Sequence, residues 1–259
     1  MHLIKVTIKH TLIKVNIQHN EINRIQRGNK KNLGDNMIPK LVIHNSISLD
    51  GSTTGFEANL DIHYKILSSY QPDAMIVGSN TAKVGTQFFC EIIPPEEESD
   101  FRKPDIEPED PRAYWMIADS RGVLEGLMHV FRRSEYAKDV IVLVSEKTPE
   151  GYINYLKERN YDYIRTGADR VNIRQALEIA NERYGFQLVV SDSGGVLNSI
   201  LLEHGLVEEI SLILTPEITG RNGTNFFRNL EKSGIRLELL KNKIVEKKYV
   251  HLAYRVLKE

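Results

Sequence analysis

Residues 187–205, QLVVSDSGGVLNSILLEHG, decide the fold. The β-branched pair Val189 and Val190 marks a buried strand over 187–191, Ser193, Gly194 and Gly195 form a turn without bulky side chains, and 196–202 is apolar at helical spacing. Strand, glycine turn and helix in immediate succession are the unit of an α/β protein. Paired glycines at such a junction let a ligand approach the backbone, and the exposed amides of the helix start favour a phosphate. Gly-Gly also serves simply to turn the chain, and the stretch alone leaves both uses open.

The same alternation extends toward the N-terminus. Residues 171–184 (VNIRQALEIANERY) form an amphipathic helix closed by Gly185, preceded by a short strand at 161–165. Before it, 148–159 reads as a helix with Thr148 as N-cap and Pro149 in the first position. Strands are expected at 139–144 (DVIVLV) and 113–119 (AYWMIAD), the latter followed by a turn at Ser120, Arg121 and Gly122. Further back lies a second strand-to-helix junction, 73–77 running into Gly78-Ser79-Asn80-Thr81; its hydroxyls either cap the helix or meet a phosphate. The first elements are a strand at 40–49 ending in Asp50-Gly51 and a helix at 58–70 stopped by Gln71-Pro72.

Toward the C-terminus, a strand at 207–216 is followed by two more at 235–241 and 249–256. Asn242 falls near the turn after the first of these, and no useful helix separates the two. They predict an antiparallel hairpin added to a mixed, mostly parallel, helix-flanked sheet. The chain shows no repeat.

Composition narrows the function. The chain has 259 residues, 41% of them hydrophobic, enough for a full core, and its formal net charge is −1. Residues 1–36 carry +5 and the remainder −6, so the folded part offers no nucleic-acid footprint. The 1–36 segment alternates Ile/Val with Lys and then turns polar; it reads as an appendage, either a basic arm or a disordered or mis-started extension ahead of Met37. Residues 37–259 form the folded domain. Residues 91–112 hold five of the nine prolines and nine acids against three bases, an exposed acidic insertion. The single cysteine, Cys90, rules out an internal disulfide and fits a reducing, cytoplasmic setting. No apolar run approaches a membrane span. The motifs of P-loop enzymes, ordinary dinucleotide-binding dehydrogenases, zinc hydrolases and deaminases, and serine hydrolases are absent.

Several side chains are candidates on position alone. Ser48 and Asp50 lie at the carboxyl end of a strand, where open α/β sheets bind ligands, although Asp50 also suits a plain Asx-turn. His63 lies on the first helix and is a conceivable proton donor, but a lone helical histidine carries little signal.

Three stretches together resemble one family: Ile47-Ser48-Leu49-Asp50-Gly51, Ile76-Val77-Gly78-Ser79-Asn80-Thr81 and Asp192-Ser193-Gly194-Gly195-Val196-Leu197-Asn198, the last followed by Leu201-Leu202 and 205–209 (GLVEE). Over residues 38–257 the chain resembles the reductase domain of riboflavin biosynthesis, with a dihydrofolate-reductase-like fold. The resemblance implies an NADPH-dependent reductase that converts the ribose of a ribosylamino-pyrimidine 5′-phosphate to a ribityl chain. It places Gly78, Ser79, Thr81, Ser193, Gly194, Gly195, Val196 and Leu197 on the cofactor side, and His44, Ser48 and Asp192 on the substrate side. Asp50 and Asp192 are the implied catalytic acids. No metal is expected, and a homodimer is implied. Two departures stand out: His44 replaces the lysine of the bacterial enzymes, and Gly85-Thr86-Gln87 replaces an acid-acid-proline run. A reductase of another small substrate, such as a dihydrofolate reductase with Asp61 as its acid, and a non-catalytic nucleotide-binding module are the alternatives.

Overall fold

The computed structural model describes residues 38–107 and 109–258; the basic segment 1–36 lies outside them. Among these residues nine strands form one sheet: β1 Lys40–Ser48, β2 Ala74–Gly78, β3 Ala113–Ala118, β4 Ala137–Val144, β5 Asp162–Arg165, β6 Leu188–Ser191, β7 Glu209–Thr215, β8 Leu237–Val245 and β9 Tyr249–Val256. Six α-helices accompany them: α1 Leu60–Ser69, α2 Ser79–Phe89, α3 Met128–Arg132, α4 Glu150–Glu158, α5 Ile173–Tyr184 and α6 Gly195–Glu203. The strand order is β5-β4-β3-β2-β6-β1-β7-β9-β8. The neighbours from β5 to β7 are parallel, and β7, β9 and β8 pair antiparallel. This is the mixed, mostly parallel sheet with a C-terminal hairpin that the alternation predicts.

The period-two alternation of each strand splits the core into two layers. Leu41, Ile43, Ile76, Met116, Leu143 and Val189 face α5 and α6. Val77, Ile117, Val140, Val142 and Val144 face the opposite way, against α3 and α4, while Val42 and Val190 pack beside Leu67 of α1. Strands buried on both faces explain the continuous apolar runs at 41–43 and 140–144.

Four details differ from expectation. Helix α3 has only five residues, all buried, too few for a helical period to show. Helix α4 begins one residue late: Pro149 occupies the N-cap position, and the Thr148 hydroxyl accepts from Ser145 N at 2.9 Å and donates to Ser120 O at 3.0 Å. Asn242 is not near a turn; it lies inside β8, opposite Leu252. The hairpin instead turns through Glu246 and Lys247, both at positive φ (48° and 61°), a pair without the glycine or asparagine that usually announces such a turn.

The acidic insertion is solvated on one side and anchored on the other. Asp100 is 3% exposed and pairs with Arg133, while Glu96 accepts from Arg159 at 2.7 and 2.8 Å. Arg132 spans from Asp139 (3.0 Å) to the carbonyls of Asp100 and Arg102 (2.9 and 3.2 Å). Part of the acidic charge is thereby neutralised within the molecule.

Candidate active site

Register builds the crevice. Ser191, the last residue of β6, is level with Ile43 of β1 and Ile76 of β2. Strand β1 runs on for five residues to Ser48, roughly 16 Å at about 3.3 Å per residue. The ends of β2 and β6 therefore form a floor, and the second half of β1 a wall beside it.

The floor is the meeting of the two predicted junctions. The Ser193 hydroxyl accepts from Gly78 N at 3.2 Å and lies 3.3 Å from the Thr81 hydroxyl, which in turn accepts from Gly194 N at 3.4 Å. Helices α2 and α6 both start here behind a glycine, and neither N-terminus receives a side-chain cap; Asn59 and Asn172, by contrast, cap α1 and α5. Two adjacent sets of free amides and two positive dipole ends suit a diphosphate.

The two glycines of the turn have different reasons to lack a side chain. A Cβ at Gly194 would meet only the Thr81 hydroxyl, at 3.7 Å, so the protein's own packing does not require glycine there. A Cβ at Gly195 would stand 2.6 Å from the Phe226 carbonyl oxygen, so this glycine admits the loop between β7 and β8. The donors and the open approach at 194 leave room for a diphosphate beside Thr81 and Ser193. Val196 is 62% exposed at the start of α6, whereas Leu197 is buried in the core and Ser79 is buried at the start of α2.

A buried amide lattice, not foreseen from the sequence, holds this turn from below. Asn198 accepts from the Ser191 hydroxyl (2.6 Å) and donates to Asn45 Oδ1 (3.0 Å) and Ser193 O (2.7 Å), and Asn45 donates to Ser193 O at 2.9 Å. Asparagine is depleted in strand interiors, so Asn45 within 40–49 was the available signal.

The opposite face of the sheet carries Asp192, the residue after β6. Its Oδ1 accepts from His63 Nε2 at 3.2 Å, and His63 Nδ1 lies 3.0 Å from the Ser46 hydroxyl. Burial alone would raise the Asp192 pKa; the charge and hydrogen bond of His63, then His44, outweigh it and hold the carboxyl below its ordinary value. Thus His63, weak by sequence, is brought against the acid that the family resemblance singled out.

His44 is behind this pair. It is fully buried; Nε2 lies 3.1 Å from the His63 carbonyl and Nδ1 2.9 Å from the Ser211 hydroxyl, which lies 2.9 Å from His251 Nε2. Burial, then the neighbouring His63, lowers the His44 pKa to about 3, so the ring is neutral. A carbonyl only accepts, so the proton is assigned to Nε2, and Nδ1 accepts from Ser211. With both nitrogens used and no exposed surface, His44 supports the site and does not reach a ligand.

Ser48 and Asp50 are elsewhere. Ser48 is four residues beyond His44 along β1, roughly 13 Å farther on at about 3.3 Å per residue. Its buried hydroxyl donates to Asp50 Oδ1 and accepts from Ser52 N. Asp50 also accepts from Thr219 N (3.2 Å) and Gly220 N (2.8 Å). The Ser48 bond first, then the two amides, lower its pKa to about 2. Asp50 is thus bound to the 219–220 loop, and Asp192 to His63. Asp50 fastens the loop that carries Phe226 to Gly195, an Asx-type role. Asp61 has its side chain on the exposed first turn of α1.

Among the described residues, no cluster of three or more His, Cys, Asp or Glu is arranged to hold a metal. No helix among them is long and apolar enough to cross a membrane.

Sheet order, hairpin and paired helix ends define a dihydrofolate-reductase-like α/β protein. Residues 39–250 match the model of the RibD C-terminal domain, and the chain belongs to that family, the family of the riboflavin-biosynthesis reductases. Solved structures agree on the fold. A pyrimidine reductase-like protein of Corynebacterium diphtheriae is similar with a TM-score of 0.63 at 14% identity, over 85% of this chain and 93% of that one. The riboflavin biosynthesis reductase Rib7 of Saccharomyces cerevisiae gives 0.59 at 17% identity, over 90% and 94%. Acinetobacter baumannii RibD gives 0.60 at 16% identity over 85% of this chain, which spans only 58% of that longer protein.

Proposed function

We propose that the chain is an NADPH-dependent reductase of the riboflavin-biosynthesis type, reducing the ribose of a 5-amino-6-ribosylamino-pyrimidine 5′-phosphate to the ribityl form. The observation that carries this reading is the pair of uncapped helix starts, tied together through Gly78, Thr81, Ser193 and Gly194, beside an ionised Asp192 on the other side of the same turn. When bound, the cofactor supplies the hydride that reduces C1 of the opened ribose. The protein's part is to hold its diphosphate on the amides of α2 and α6 and to orient the substrate toward Asp192. A carboxylate facing the substrate stabilises the positive charge that develops at an iminium carbon.

The same resemblance suggests a homodimer. The exposed apolar side chains Leu237, Leu239, Leu240 and Ile244 on β8 offer a surface for it. Light scattering on the purified protein is expected to give twice the chain mass.

The deciding experiment mixes the protein and NADPH with the ribosylamino-pyrimidine phosphate, and separately with dihydrofolate. Cofactor oxidation with the pyrimidine alone is the expected result. NADPH binding without turnover of either compound would replace this reading by that of a nucleotide-binding module.

A further inference from the structure

Asp192 uses Oδ1 for His63, and its second carboxyl oxygen makes no hydrogen bond among the described residues. The carboxyl is about one-fifth exposed, whereas the His63 ring is 7% exposed. The ring thus fixes the carboxylate from behind and leaves one oxygen to the crevice. The other ring nitrogen faces a hydroxyl, and this matters for proton storage. The Ser46 hydroxyl donates to a bare Nδ1 and accepts from a protonated one, so His63 keeps both partners in either state.

We propose that His63 is a positioning residue for the reduction: it orients Asp192 and shares with it the single proton that opening of the ribose consumes. This rests on the functional reading above. In its protonated form the pair carries the proton either on His63 beside the carboxylate or on the free oxygen of Asp192 beside a neutral ring. Nε2 donates to Oδ1 in both forms. In the step itself, the ribose ring oxygen takes the proton from the free oxygen of Asp192. The bond between that oxygen and C1 breaks, and the lone pair of the exocyclic nitrogen forms the C=N bond. The substrate gains the positive charge that the pair gives up, and the resulting carboxylate lies beside the iminium it has created. Solvent returns the proton afterward.

The groups packed around the pair do not compete for this role. On β1, His44 is held neutral by burial; on β9, behind Ser211, His251 is also lowered, burial again being the first cause. Tyr64 on α1 and Tyr70 at its C-cap are both raised by burial, and Glu209 on β7 is engaged by Lys40 and the Tyr70 hydroxyl.

The test uses the full chain. His63→Gln retains a donor toward Asp192 but cannot store a proton. It is expected to lower kcat by about a hundredfold or more while NADPH affinity is unchanged, and to abolish the limb on which activity falls with rising pH. Ser46→Ala, a milder variant in case His63→Gln misfolds, is expected to move the same limb. In ligand-free wild-type protein, the His63 Nε2 proton should give an exchange-protected imidazole resonance that Asp192→Ala removes. Turnover by wild type with an unchanged pH profile in both variants, or a resonance indifferent to Asp192→Ala, overturns the role of the pair alone. Absence of turnover by wild type with the pyrimidine substrate overturns the functional reading and this role with it.

Discussion

Replacing Gly195 by alanine separates what the glycine turn does for the fold from what it does for a ligand. The added Cβ would lie 2.6 Å from the Phe226 carbonyl oxygen. That oxygen belongs to a backbone that cannot easily retreat: Phe226 N donates to Gly51 O at 2.8 Å, and the Phe226 ring, 1% exposed, is part of the main core. Overpacking of this kind costs about 1–3 kcal/mol. Alanine recovers up to about 1 kcal/mol of helix propensity, and less at a helix start, so the net loss is roughly 1–2 kcal/mol. For a domain of this size that is a fall in Tm of roughly 2–8 °C. Gly194→Ala is the control. Its backbone, φ −74° and ψ 176°, suits any residue, and its Cβ meets only Thr81 at 3.7 Å. Its stability should stay within about 0.5 kcal/mol of wild type, while its affinity for NADPH falls because the methyl group fills the approach to the amides. Urea denaturation and fluorescence titration with NADPH read the two effects. A Gly195→Ala protein as stable as wild type would refute the packing assigned to Phe226, and undiminished NADPH affinity in Gly194→Ala would move the cofactor approach away from this turn.

Two further outcomes follow from the supports of the site. Asn198→Ala strands the Ser191 hydroxyl, Asn45 Oδ1 and part of the Ser193 carbonyl bonding in a buried position; unfolding in urea should show a loss of about 2–4 kcal/mol, and a loss below about 1 kcal/mol would mean that water replaces the amide. Asp50, with its pKa lowered to about 2, favours the folded loop above its unfolded carboxylate value, and that contribution disappears as pH falls through about 2. Hydrogen exchange of the Thr219 and Gly220 amides, corrected for intrinsic rates, should therefore lose protection between about pH 4 and pH 2 in wild type, and already at neutral pH in Asp50→Asn; equal protection in both proteins would show that the carboxylate does not hold the loop.

The order of elements was legible because β-branched runs, helical spacing and turn residues are local signals. They gave the parallel body, the two glycine junctions and the C-terminal hairpin. They failed where the local signal is weak: the five-residue helix α3, the Glu246-Lys247 turn and the inward-facing acids of the insertion. Thr81 and Ser193 were recognisable as candidates in their separate motifs, yet their 3.3 Å approach is a product of β2 pairing with β6.

The 187–205 stretch by itself determined a strand, a glycine turn and a helix, because each is set by neighbours in the chain. Only the tertiary structure decided what the turn serves. Strand alternation sends Ser191 toward Asn198 and Asp192 toward His63. The end of β6 beside a longer β1 opens the crevice, and a carbonyl from a loop about thirty residues away disfavours any side chain at Gly195 while leaving Gly194 open. Side-chain roles of this kind depend on which strands become neighbours, and sheet pairing is fixed by the burial of the whole core and not by the sequence near the site.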